Sequence, residues 1–135
     1  MHELRISTLQ RETMVDITAR VREVVAEKQW QDGMVVLFCP HTTAGLTINE
    51  AADPAVARDI LTTLRRLIPN QGDYQHAEGN SDAHVKASLM GADIRVLVQG
   101  GRLVLGTWQG VFLAEFDGPR TRRIWVQWQN FSPLN

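Results

Sequence analysis

From Ile94 onward the chain is a series of short apolar runs broken by turn signals, and this pattern limits the fold more than any other feature. Ile94 to Val98 is followed by Gly100-Gly101, Leu103 to Leu105, Val111 to Phe116, Asp117-Gly118 and Ile124 to Trp128. Runs of this length bounded by glycine and aspartate read as strands of an antiparallel meander. Upstream, Leu4 and Ile6 alternate with Glu3, Arg5 and Ser7 as in a half-buried strand, and a polar turn follows through Gln10 to Glu12. Asp32-Gly33 marks a turn before Met34 to Phe38, an apolar run of the fully buried kind, and Leu46 to Ile48 supplies another strand.

Two segments have a helical period. Met14, Ile17, Val21, Val24 and Val25 share one face, with Arg20, Arg22, Glu23 and Glu27 opposite, which predicts a helix starting near Asp16. Asp53-Pro54 starts the second, Val56, Ile60, Leu64 and Leu67 form its buried stripe, and Pro69 to Gly72 stops it. Ser81 or Asp82 is placed to cap a further short helix that ends before Gly91. About seven strands outnumber the connections able to serve as parallel crossovers. The expected fold is α+β and mainly β: an antiparallel β-sandwich with two main helices packed on it, forming one domain over residues 1–135.

The charge balance narrows the partners. Fourteen basic and 15 acidic side chains leave a net charge of -1, so no general positive field draws in nucleic acid. Cys39 is the single cysteine, which excludes an internal disulfide and favours a reducing compartment. The N-terminus lacks a signal-like apolar stretch and no segment has the length to span a bilayer, so a cytoplasmic location with no membrane partner is expected.

The densest polar segment is His76-Ala77-Glu78-Gly79-Asn80-Ser81-Asp82-Ala83-His84-Val85-Lys86. It buries little, and its residue types are easier to explain by a site than by packing. His76 and His84 flank Asp82, and His41 arrives from another loop, so three imidazoles are candidates to bind one divalent ion, zinc or magnesium. Each could equally be a surface or hydrogen-bonded histidine. Asn49-Glu50 ends a strand and Asp53 starts a helix, where a carboxylate can ligate a metal, take a proton or cap the helix. Gly79-Asn80-Ser81 before a helix can present amides to a phosphate, with Lys86 or Arg120 adding positive charge and a bridging cation offsetting Asp82. Gly106-Thr107-Trp108-Gln109-Gly110 interrupts the strand series, and Trp108 is either core or a flat surface for an aromatic substrate, with Gln109 beside it.

Taken together, Pro40-His41-Thr42-Thr43-Ala44-Gly45, Asn49-Glu50, Asp53, His76 to His84, Gly106-Thr107-Trp108-Gln109 and Glu115 to Arg120 resemble the YjbQ family, the secondary thiamine-phosphate synthase enzymes. The likeness runs over nearly the whole chain in order. Ala51-Ala52 departs from a more polar family pattern, and Leu97 replaces a usual proline. The resemblance implies a β-rich, jelly-roll-like sandwich with helices, a homotrimer, and a weak thiamine-phosphate synthase activity. That reaction joins an aminopyrimidine methyl diphosphate to a thiazole phosphate and releases diphosphate.

On this reading His41, His76 and His84 hold the metal, and Glu50, Asp53, Asp82 and Lys86 act in catalysis. Thr42, Thr43, Asn49, Asn80, Ser81, Trp108, Gln109 and Arg120 contact a phosphorylated metabolite. Two alternatives use the same residues: a metal-dependent hydrolase of a phosphorylated metabolite, with Glu50 or Asp53 taking a proton from metal-bound water, and a non-enzymatic protein that binds a metabolite or metal.

Overall fold

The computed structural model describes residues 1–131. Its strands are β1 (His2–Ser7), β2 (Thr13–Asp16), β3 (Gly33–Phe38), β4 (Ala44–Glu50), β5 (Asp93–Gln99), β6 (Arg102–Val104), β7 (Gln109–Glu115) and β8 (Thr121–Asn130). The helices are α1 (Thr18–Glu27), α2 (Pro54–Leu67) and α3 (Ser81–Met90). Every strand pairing is antiparallel. One sheet has the order β1-β8-β3-β5-β6 and the other β2-β7-β4.

Alternation explains how the sheets stack. Leu4, Ile6, Val35, Leu37, Val96, Val98, Ile124 and Val126 from the larger sheet join Leu46, Val111 and Leu113 from the smaller one, with Val21, Val24 and Val25 of α1, in one core. Intervening residues of β7 point the other way, where Ala114 and, just past the strand's end, Phe116 meet Ala83 and Ala87 of α3. Gly110 to Glu115 are therefore all buried, because β7 is covered on both faces. The mainly β, antiparallel expectation holds, with eight strands and three helices among the described residues.

Three local expectations are corrected. Met14 belongs to strand β2 (Thr13–Asp16) and not to the helical stripe, while α1 starts at Thr18, near Asp16 as expected, with the Asp16 carboxylate accepting from the Thr18 amide and hydroxyl. The last strands are not a meander: β7 pairs with β2 and β4, while β8 lies between β1 and β3. Finally, α2 buries none of its residues completely, and Leu67 is 67% exposed. Among the described residues no helix is long and apolar enough to cross a membrane.

Candidate functional site

Residues 39–43 link β3 to β4 and carry His41 to one end of the sheets. The pairing of β3 with β8 stops at Phe38 and Trp125, so the Arg123 amide, beyond the last pair, needs another acceptor. His41 supplies it: Arg123 N–H donates to His41 Nε2 at 2.9 Å. Burial pushes the His41 pKa down, and the positive charges of Arg122 and Arg123 push the same way. A second tether holds the loop two residues on, where Arg122 donates to both the carbonyl and the hydroxyl of Thr43.

The other wall of this end is α3. His84 and Ser88 stand one turn apart, and the Ser88 hydroxyl donates to the His84 carbonyl at 2.9 Å. His41, Thr42, His84 and Ser88 line a cleft of about 470 Å³ whose remaining walls are Ala44, Ala87, Gly91 and Ala92. These walls are small for a reason. Gly91 has φ of 104°, a backbone region that side chains disfavour, and a Cβ on Gly45 would come within 2.7 Å of the Gly91 carbonyl. The closeness of β4 to the end of α3 thus depends on both glycines. On the far side of His84, His76 meets it ring edge to ring face at 5.2 Å between centroids. His76, Ser81 and His84 share a second recess there, and Ser81 donates to the His76 carbonyl at 3.4 Å.

Asp82 and Lys86 sit on another face of α3, and both side chains are 0% exposed. Lys86 donates to Asp82 at 2.8 Å and to Glu12 at 2.9 Å; Arg11 and Asn70 also donate to Asp82, each at 3.0 Å. Burial alone would raise the Asp82 pKa, but the hydrogen bonds from Arg11, Lys86 and Asn70 outweigh it and hold the group at about 2. Glu12 is likewise held low, with bonds from Lys86 and Arg65 overcoming its burial. The catalytic roles expected for Asp82 and Lys86 do not match this placement: the two close an internal ion network and do not line the cleft.

Glu50 and Asp53 are also elsewhere. Six residue-to-residue steps along the strand separate Ala44 from Glu50, so these carboxylates lie about 20 Å along β4 from the cleft end. There Glu50 accepts from the Asp53 amide at 3.2 Å, Asp53 accepts from the Ala55 amide at 2.9 Å, and Asn49 accepts from the Glu50 amide. This is helix capping. Trp108, 63% exposed, belongs to the same end, where its carbonyl accepts from Ala51 and Gln109 pairs across from Glu50. Arg120 is tied to Asp117, and Asn80 Nδ2 donates to the same carboxylate at 2.9 Å, leaving Asn80 Oδ1 buried and without a partner.

The structure thus joins His41, His84 and Thr42, brings His76 and Ser81 against His84, and separates the carboxylates. Among the described residues no three His, Cys, Asp or Glu side chains stand close enough to share a metal ion. His41 Nε2 is already an acceptor, so the three-histidine metal set does not assemble within one chain.

Sequence reasoning missed Ser88 and the buried pair Glu115–Arg122. Arg122 Nε donates to Glu115 at 2.9 Å, and Glu115 also accepts from Thr8 and the Asp117 amide. The pair bridges the two sheets behind the His41 loop. Its signal was present: Glu115 occupies an inward register position in the apolar run from Val111 to Phe116.

The comparisons with known proteins agree with this fold. A family model described as UPF0047 protein YjbQ-like matches residues 2–130. A UPF0047 protein of Methanocaldococcus jannaschii is 48% identical, covering 94% of this chain and 92% of its own length. UPF0047 protein YugU of Bacillus subtilis is 46% identical over 92% of this chain and 95% of its own. The crystal structure of an uncharacterised YjbQ/UPF0047-family protein from Clostridium acetobutylicum superposes with a TM-score of 0.93 at 51% identity, covering 96% of this chain and 100% of that one. With the family model spanning nearly all of the chain and relatives of matching length, the chain belongs to the UPF0047 family of YjbQ-like proteins.

Proposed function

We propose that the His41–His84 cleft is the active site of a cytoplasmic enzyme acting on a small phosphorylated metabolite, with the thiamine-phosphate synthase reaction implied by the family resemblance as its specific chemistry. The observation that carries this reading is the lining of the cleft. Two imidazoles and the hydroxyls of Thr42 and Ser88 meet there from distant parts of the chain, and no carboxylate lines the cleft to repel a phosphate. The Ser88 hydroxyl already donates to the His84 carbonyl, so the donors left to stabilise charge on a departing diphosphate oxygen are the Thr42 hydroxyl and the ring N–H groups, and an imidazole such as His84 is suited to give that oxygen a proton. Among the described residues no three His, Cys, Asp or Glu side chains gather to hold a divalent ion, and no step is assigned to one.

Assembly as a homotrimer belongs to the same proposal. Val56, Ile60, Leu64, Leu89 and Met90 line an apolar groove of about 480 Å³ between α2 and α3, adjoining the cleft through Met90 and Gly91. Trp128 is not assigned to the contact surface, because it stacks on Trp30 at 5.0 Å between ring centroids and packs against the core.

The test is an assay of the purified chain with an aminopyrimidine methyl diphosphate and a thiazole phosphate, following diphosphate and thiamine phosphate together. His84→Ala is expected to lower turnover by about a hundredfold or more with an unchanged thermal midpoint. Diphosphate release without the joined product would favour the hydrolase. Heat stabilisation by a phosphorylated metabolite with no turnover would favour the binding protein.

A further inference from the structure

A backbone amide can only donate, so the 2.9 Å contact from Arg123 N–H fixes His41 Nε2 as the unprotonated nitrogen. In a neutral imidazole the proton then resides on Nδ1. Among the described residues Nδ1 has no acceptor, although the side chain lines the cleft. We infer that His41 is a fixed, neutral hydrogen-bond donor that offers Nδ1–H to an anionic oxygen of the substrate, and that it is neither the base of the site nor a metal ligand through Nε2. This rests on the phosphate reading of the cleft.

The surroundings support the assignment. Protonating His41 would place a second N–H against the Arg123 amide, and burial together with Arg122 and Arg123 disfavours the charged ring. The donor is also held in place. Arg123 belongs to β8, and its neighbour Arg122 is anchored to Glu115 while gripping Thr43 on the same loop. Such a preorganised donor stabilises a developing oxyanion with little reorganisation, and it leaves His84 as the imidazole in the cleft available for proton transfer.

The experiment uses the full chain, labelled with ¹⁵N, and inorganic pyrophosphate as the probe. Long-range ¹H–¹⁵N spectra are expected to show His41 protonated on Nδ1 and bare on Nε2, with the Nδ1–H resonance moving on titration. A His41 ring protonated on Nε2 overturns the inference whatever the cleft does. Pyrophosphate shifts at His84 and Ser88 that leave His41 untouched overturn the donor role and spare the phosphate reading. No shift anywhere in the cleft overturns both.

Two variants separate the ring nitrogens. Asparagine places its amide near the Nδ1 position, whereas glutamine reaches the Nε2 position and keeps an acceptor for Arg123. His41→Gln is expected to weaken pyrophosphate binding by about tenfold or more, the scale of a lost hydrogen bond to a charged group, and His41→Asn by less than about threefold. The reverse order would assign His41 to loop structure alone and overturn the donor role.

Discussion

Asp82 receives hydrogen bonds from Arg11, Asn70 and Lys86 while wholly buried, so its charge acts on stability before it can act on any substrate. Its folded pKa of about 2 lies below the ordinary 3.8. The sign follows: the carboxylate is ionised in both states above about pH 4, its stabilisation is fully present there, and it fades as pH falls through 2. The shift is worth about 2 kcal/mol. Asp82→Asn should cost about 3 kcal/mol at pH 7, because Arg11 and Lys86 lose a charged partner, and it should remove this part of the acid sensitivity. Urea unfolding at pH 7 and pH 3 checks both; an Asn variant as stable as the parent at pH 7 would contradict the network. The sequence carried half of this result. Asp82 and Lys86 lie four residues apart on one helical face, as do His84 and Ser88, and the two pairs are about 200° apart around the helix. Which face would be buried depended on Glu12 and Arg11, whose approach to α3 no spacing reveals.

At the level of elements, α2 depends on its first turn. Asp53 Oδ1 accepts from the Ala55 amide, so Asp53→Ala should lower stability by about 1 kcal/mol, and Asp53→Asn should be nearly neutral. A loss of turnover in Asp53→Asn with stability intact would return this residue to the chemistry. Helix starts of this kind were legible because proline and a capping side chain act locally. The start of α1 near Asp16 was legible too, but the strand just before it was not. Met14 and Ile17 keep helical spacing with Val21, yet Thr13–Asp16 pairs with β7, and two apolar residues three apart cannot distinguish a helix from a strand that turns into one. The misread meander has a similar cause. Strand lengths and turn residues show that β7 and β8 exist, but the choice of sheet is made by partners distant in sequence. The convergence of His41 and His84 was expected from sequence as a possibility of the loops, and the strand register decides it.

For the whole molecule, the apolar stripe of α2 and the neighbouring end of α3 leave a demand for burial unmet. Ile60 lines the groove without being fully covered, and Leu67 and Leu89 are each 67% exposed. Sedimentation is expected to give a trimer at micromolar concentration, and Ile60→Glu is expected to shift it toward monomer with an unchanged circular dichroism spectrum. A parent that sediments as a monomer would remove the assembly from the proposal.

The position of β8 has a consequence for biosynthesis. Among the described residues this strand is the last in sequence, yet it lies between β1, the first, and β3. The larger sheet cannot close until residue 130 has emerged from the ribosome, and contacts of such long sequence separation form slowly. Throughout synthesis β1 and β3 lack the neighbour they will share, and the open edges are places where nascent copies can pair wrongly.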